Sequence, residues 1–183
     1  MTSIVGSVRA EYVRYKGLAE SAMAQLSEPQ LSAPGPNGGG SIATICWHIA
    51  GNLKSRFTDF GKSDGEKPWR QREEEFERRV VPRAELLEKW ADGWAALFGA
   101  LDALADDQLR GTVTIRQQPL LVYEALHRSL AHIAYHVGQI VYVAKEFRGR
   151  EWKYLSIPPG QTEAYNRAPT MERPGTPASR NAS

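Results

Sequence analysis

Two histidines four residues apart, His132 and His136, are the first chemistry this sequence offers. On an ideal helix, which turns about 100° per residue, they stand ~40° apart, so both rings project from one face. An i,i+4 pair of imidazoles can hold one divalent cation between two nitrogens. His48, far upstream, offers a third nitrogen. Three neutral imidazoles are the number a catalytic metal site uses while leaving room for water or substrate. Zinc or nickel suits such a donor set best here, and iron or copper also fits it. A lone histidine beside an apolar face is more often a hydrogen-bonded boundary residue, so the metal reading depends on all three converging. His127 lies about 140° around the helix from His132 and is left outside the site.

The neighbours of these histidines narrow the reaction. Ile133 follows His132, so the His-Glu-x-x-His arrangement of zinc peptidases, with its glutamate base, is absent. Asp59 and Glu124 are the nearest carboxylates by helix position, and neither is well placed. A thiol substrate needs no such base, because coordination to a cation itself favours the thiolate. Asn52 and Arg56 follow His48 by one and two helical turns. Asn52 is a candidate to orient a ligand or touch substrate, and Arg56 to attract an anionic group such as a carboxylate. Gln139, one turn beyond His136, is a candidate hydrogen-bonding support. Tyr135 and Tyr142 read more simply as packing residues. Cys46 is two residues from His48 but falls within the apolar stripe, where it reads as a small buried hydrophobe.

Four stretches have the period needed to carry these residues on helices. The first runs from about Ser3 to Ser27, with Ile4, Val8, Tyr12, Tyr15, Ala19, Ala22 and Leu26 on one face. A breaker-rich loop follows, and Ser41 is placed to cap the second helix, about Ile42 to Gly61, whose stripe is Ile42, Ile45, Cys46, Ile49, Leu53, Phe57 and Phe60. The third starts near Pro82 and buries Leu86, Trp90, Trp94 or Leu97, Leu101 and Leu104. The fourth, about Pro119 to Phe147, buries Val122, Leu126, Ile133, Val137, Ile140 and Ala144. On this helix His132 and His136 sit to one flank of the stripe, as His48 does on the second.

Between the second and third helices lies a charged connection from Gly65 to Pro82, long enough to hold a helical turn or to serve binding. Glu66 to Arg72 reads as a solvated loop pinned by Trp69. Closure over an anionic substrate, or a dimer interface, are the alternatives for Trp69, Arg70 and Arg72. Glu73, Glu74 and Glu75 with Arg78 and Arg79 read as exposed i,i+4 ion pairs. The alternation from Thr112 to Arg116 is strand-like but too short to form a sheet alone, and reads as an extended linker. Beyond Pro158 the periodicity dissolves, and residues 158–183 read as a disordered tail behind a domain of residues 1–157.

Composition bounds the rest. With 183 residues and 42% hydrophobic residues, one globular domain plus a tail is expected. A net charge of +2 gives no reason to expect nucleic acid as a partner. One cysteine excludes an internal disulfide or a multi-cysteine metal cluster and suits a reducing compartment. No segment has the 7–15-residue apolar run of a signal peptide or the ~20 apolar residues of a membrane span, so a cytoplasmic protein with no membrane partner is expected.

The segments from His48 to Phe60, Gly65 to Arg72 and Ala131 to Ile140 resemble the DinB-like superfamily, and most closely its DUF1572 branch, over about residues 3 to 157. That resemblance implies an all-α fold, a four-helix bundle with a crossed connection. It further implies a divalent metal held by His48, His132 and His136, and a homodimer. The superfamily includes metal-dependent transferases of low-molecular-weight thiols of the bacillithiol and mycothiol type. A thiol transferase acting on a small-molecule substrate is therefore the leading expectation. A non-catalytic metal-binding or dimeric interaction protein, and less favourably a metal-dependent hydrolase, are its rivals.

Overall fold

A computed structural model describes residues 3–172 of the chain. Among them the fold is mostly helical, with six helices and one two-stranded sheet. The long helices are α1 (Ile4–Met23), α3 (Ile42–Phe57), α4 (Arg83–Asp102) and α5 (Val122–Arg148). Two five-residue helices, α2 (Glu28–Ser32) and α6 (Thr162–Asn166), complete the set. Helix α3 packs chiefly on α4 and α1 on α5, while α3 also meets α5 and α1 meets α4. The sequentially distant α1 and α5 are thereby neighbours.

The apolar stripes are buried much as the 3.6-residue period requires. Tyr12, Ala19, Ala22, Ile42, Cys46, Ile49, Leu53, Leu86, Trp90, Trp94, Leu97, Leu101, Leu126, Ile133, Val137, Ile140 and Ala144 all lie in one core. Both Trp94 and Leu97 are inside, and Ile4, expected on the buried face, is instead exposed while Val5 takes its place. Ser41 caps α3, its hydroxyl accepting the Thr44 amide at 3.1 Å. The α3–α4 contact is close because Gly93 has no side chain: a Cβ there would stand 2.6 Å from the Ala50 Cα.

Three local expectations are corrected. The stretch from Leu109 to Gln118 does not remain a linker: Thr112–Ile115 (β1) pairs antiparallel with Gln118–Leu121 (β2). The turn between them, Arg116-Gln117, has φ of 54° and 62°, the left-handed pair of a type I′ hairpin, whose twist matches the strands. The fourth helix therefore starts at Val122, not Pro119, and Glu124 accepts the Leu121 amide at 2.8 Å. The first helix stops at Met23, with α2 as a separate turn after Leu26. Residues 158–172 of the expected tail include α6, where Tyr165 Oη accepts the Thr170 and Met171 amides; residues 173–183 lie outside the described residues.

The connection from Gly65 to Pro82 contains one 3₁₀ turn, Glu73–Phe76, which rests on α3. The hairpin and this connection are clamped by Asp64. Its carboxylate accepts the amides of Glu66, Arg116 and Gln117 at 2.7, 2.8 and 2.7 Å. The Glu66 and Gln117 amides, which bind the ionised form more strongly than the protonated one, hold the Asp64 carboxyl below its ordinary value.

Candidate metal centre

Helix α3 presents His48 and helix α5 presents His132 and His136 to the same point. The Nε2 atoms of His48 and His132 are 3.2 Å apart, and those of His136 and His132 are 3.0 Å apart. One ligating nitrogen from each ring lies within 4.8 Å of the other two. His48 is buried and the other two are half-buried.

The far side of two of these rings is held. His48 Nδ1 is 2.9 Å from Glu75 Oε2, and since a carboxylate only accepts, the nitrogen donates. His136 Nδ1 is 2.7 Å from Gln139 Oε1, again an acceptor. In its neutral form each of these two rings is thereby kept in the tautomer whose Nε2 carries a lone pair. His132 is neutral near pH 7, because burial, with His136 and His48 adding to it, pushes its pKa down to about 4. A neutral His132 has one ring proton and can bridge only one of its two short contacts. The other contact then sets a lone pair against a nitrogen with no proton left to share, which is unfavourable unless a cation lies between the rings. The donor set fits a divalent metal on these grounds.

Glu75 is the residue that the sequence concealed. It was expected on an exposed charged turn, yet its side chain is only 7% exposed. Arg70, expected in a solvated loop, donates to it through Nε and Nη2, both at 2.8 Å. Burial works to raise the Glu75 pKa, but Arg70 first and His48 second outweigh it, and the carboxyl stays ionised, below its ordinary value. The expected loop is thus turned inside out: Lys67 and Arg70 are buried and Trp69 is half exposed. The expected ion pairs are absent among the described residues; Arg79 instead donates to the Glu74 and Glu77 carbonyls and lies over Trp47. One sequence signal pointed to this arrangement, Gly51, in mid-helix three residues after His48. A Cβ at Gly51 would stand 2.2 Å from Glu75 Oε1, so the glycine makes room for the carboxylate.

Two cavities open beside the histidines. One, of about 400 Å³, is lined by His48, His132, Asn52, Arg56 and the hairpin. The other, of about 570 Å³, is lined by His48, His136, Gln139, Tyr135 and Tyr142. Among the described residues no Asp or Glu lines either one. Of the sequence candidates, Gln139 hydrogen-bonds a histidine directly. Asn52 faces the first cavity from one turn along α3. Arg56 faces it too but is engaged, donating to the Gly65 carbonyl and to Glu66. Glu124 caps α5, and Asp59 sits in an exposed turn, so neither serves as a base. His127 is exposed against Tyr123, and Cys46 is fully buried against Met23 with its thiol pKa raised by burial.

The family of proteins of unknown function DUF1572 has a model that matches residues 1–161. The chain belongs to DUF1572. No curated protein and no solved structure matches it. Within this DUF1572 chain no helix of the described residues is long and apolar enough to cross a membrane.

Proposed function

We propose that this DUF1572 protein binds one divalent metal, zinc or nickel, through the Nε2 atoms of His48, His132 and His136, and uses it as a thiol S-transferase. The observation that carries the metal is the convergence of three imidazole nitrogens, two of them with the opposite nitrogen already hydrogen-bonded. When bound, such a cation supplies the acidity that turns a substrate thiol into a thiolate at neutral pH. The chain's own residues do the rest. Glu75, fixed by Arg70, orients His48, and Gln139 orients His136. Phe76 packs its ring 4.6 Å from that of His48.

The cavities separate the two reactants. The thiolate sulfur attacks an electrophilic carbon, a C–S bond forms, the leaving group departs with its electron pair, and the thiol proton passes to solvent. Among the described residues no carboxylate lines either cavity to serve as a base, which favours a thiol over water as nucleophile. The pairing of α1 with α5 and of α3 with α4 supports reading the long helices as a crossed four-helix bundle of the DinB-like kind. A homodimer belongs to the same proposal, with half-exposed Trp69 as a residue offered to the second copy.

Metal analysis of protein purified without a polyhistidine tag tests the centre. About one metal per chain is expected, falling to near zero in His132→Ala. Equal near-zero content in both after reconstitution overturns the proposal. Cobalt substitution then tests the thiol: a sulfur-to-metal charge-transfer band on adding 2-mercaptoethanol is expected, and turnover with a chlorodinitrobenzene electrophile should depend on His132. An unchanged spectrum would leave a closed, non-catalytic metal site.

A further inference from the structure

The two cavities beside the histidines differ in charge. Among the described residues the smaller is lined by Arg56, Arg70, Arg72, Arg116 and Arg128 and by no carboxylate, while the larger has no Asp, Glu, Lys or Arg in its lining. Three nearby carboxylates serve the arginines. Glu66 lies 3.0 Å from both Arg56 and Arg116 and 3.8 Å from Arg70. Glu75 takes Arg70 and Glu73 takes Arg72. Four of the five guanidiniums around this half-enclosed site are thus ion-paired, and Arg128 is not. Arg56 reports the same crowding: burial lowers its pKa most, Glu66 opposes this, and the charges of Arg70 and Arg116 lower it further.

Of the five arginines lining this cavity, Arg128 is the one without a partner. It makes no hydrogen bond or ion pair among the described residues. It also lies four residues before His132 on α5, one turn away on the same face, where it shares the cavity lining with His132. Across the cavity Asn52 and Arg56 follow His48 by one and two turns of α3. Concave sites with unbalanced positive charge and low-dielectric walls concentrate anions, and a guanidinium binds carboxylate or phosphate by paired hydrogen bonds.

We propose that the arginine-lined cavity holds an anionic group of the substrate, a carboxylate or a phosphate, with Arg128 as its anchoring contact and the reacting end directed to the three histidines. One to two helical turns separate the arginines from the histidines, so the substrate carries its anion about 5–11 Å from the reacting atom. The uncharged cavity on the far side of His48 receives the uncharged reactant. The position of the reacting end rests on the metal reading above; the anion subsite does not, and is tested separately.

The test is calorimetric titration of the full chain with succinate and, in a second arm, inorganic phosphate. Binding of at least one is expected in the wild type, and which arm binds identifies the anion. Arg128→Gln should weaken it about tenfold, Arg128→Lys should restore part of it, and His132→Ala should leave it intact. Arg128 is exposed on α5, so its variants should fold with unchanged circular dichroism and unchanged metal content. No binding in the wild type, or equal binding by wild type and Arg128→Gln, overturns the subsite. Binding lost in His132→Ala but kept in Arg128→Gln also overturns it, placing the anion on the metal and leaving the metal reading in force. Anion binding by a chain that takes up no metal would sustain the subsite while removing the metal reading.

Discussion

At the scale of single residues, the centre depends as much on the groups behind the histidines as on the histidines themselves. Glu75→Gln keeps the shape of the side chain but removes the charge that Arg70 and the His48 Nδ1–H both bind. Metal affinity measured against a chelator should fall about 10–100-fold, the usual effect of losing a partner of a liganding histidine. Gly51→Ala should act through the same contact. In an exposed helix that change would stabilise by about 1 kcal/mol, but here the new Cβ meets the Glu75 carboxylate. Destabilisation of about 1–3 kcal/mol in urea unfolding is expected, with weaker metal binding. The histidines were legible because an i,i+4 spacing survives any tertiary context. Glu75 was not, since a run of three glutamates looks solvated and its partner His48 is 27 residues away.

At the scale of elements, the hairpin and the loop before the 3₁₀ turn form the wall of the basic cavity, and Asp64 joins them. Its folded pKa lies below the unfolded value, so its contribution to stability is fully present above the unfolded pKa and is lost as pH falls through the folded one. Protection of the Arg116 and Gln117 amides relative to their intrinsic exchange rates should therefore fall in acid below about pH 3.8, and Asp64→Asn should show the lower protection already at neutral pH. The sign would be reversed only if the clamp worked through a protonated carboxyl. Helix faces were legible here because each stripe repeats over several turns. The hairpin was not: its strands are four residues long, Pro119 sits in one of them, and its turn uses Arg116-Gln117 in place of the usual Asn-Gly.

At the scale of the whole molecule, α3 is central, gripping α4 on one side and supplying His48 on the other. Gly93→Ala should push α4 away from Ala50 and destabilise by about 2 kcal/mol, whereas Gly99→Ala, on the same helix with open space around it, should stabilise by about 0.5–1 kcal/mol. Paired thermal melts of the two variants check this. A cation shared by α3 and α5 links those helices, so zinc at a hundredfold excess over its Kd should raise stability by about 2.7 kcal/mol, or roughly 5–10 °C in Tm, and His132→Ala should abolish the gain. Cys46, wholly enclosed by the core, carries a last consequence. On the proposed transferase reading the chain meets soft electrophiles, and its single sulfhydryl lies where such reagents do not reach. Iodoacetamide should leave the native protein's mass unchanged and label it only after unfolding.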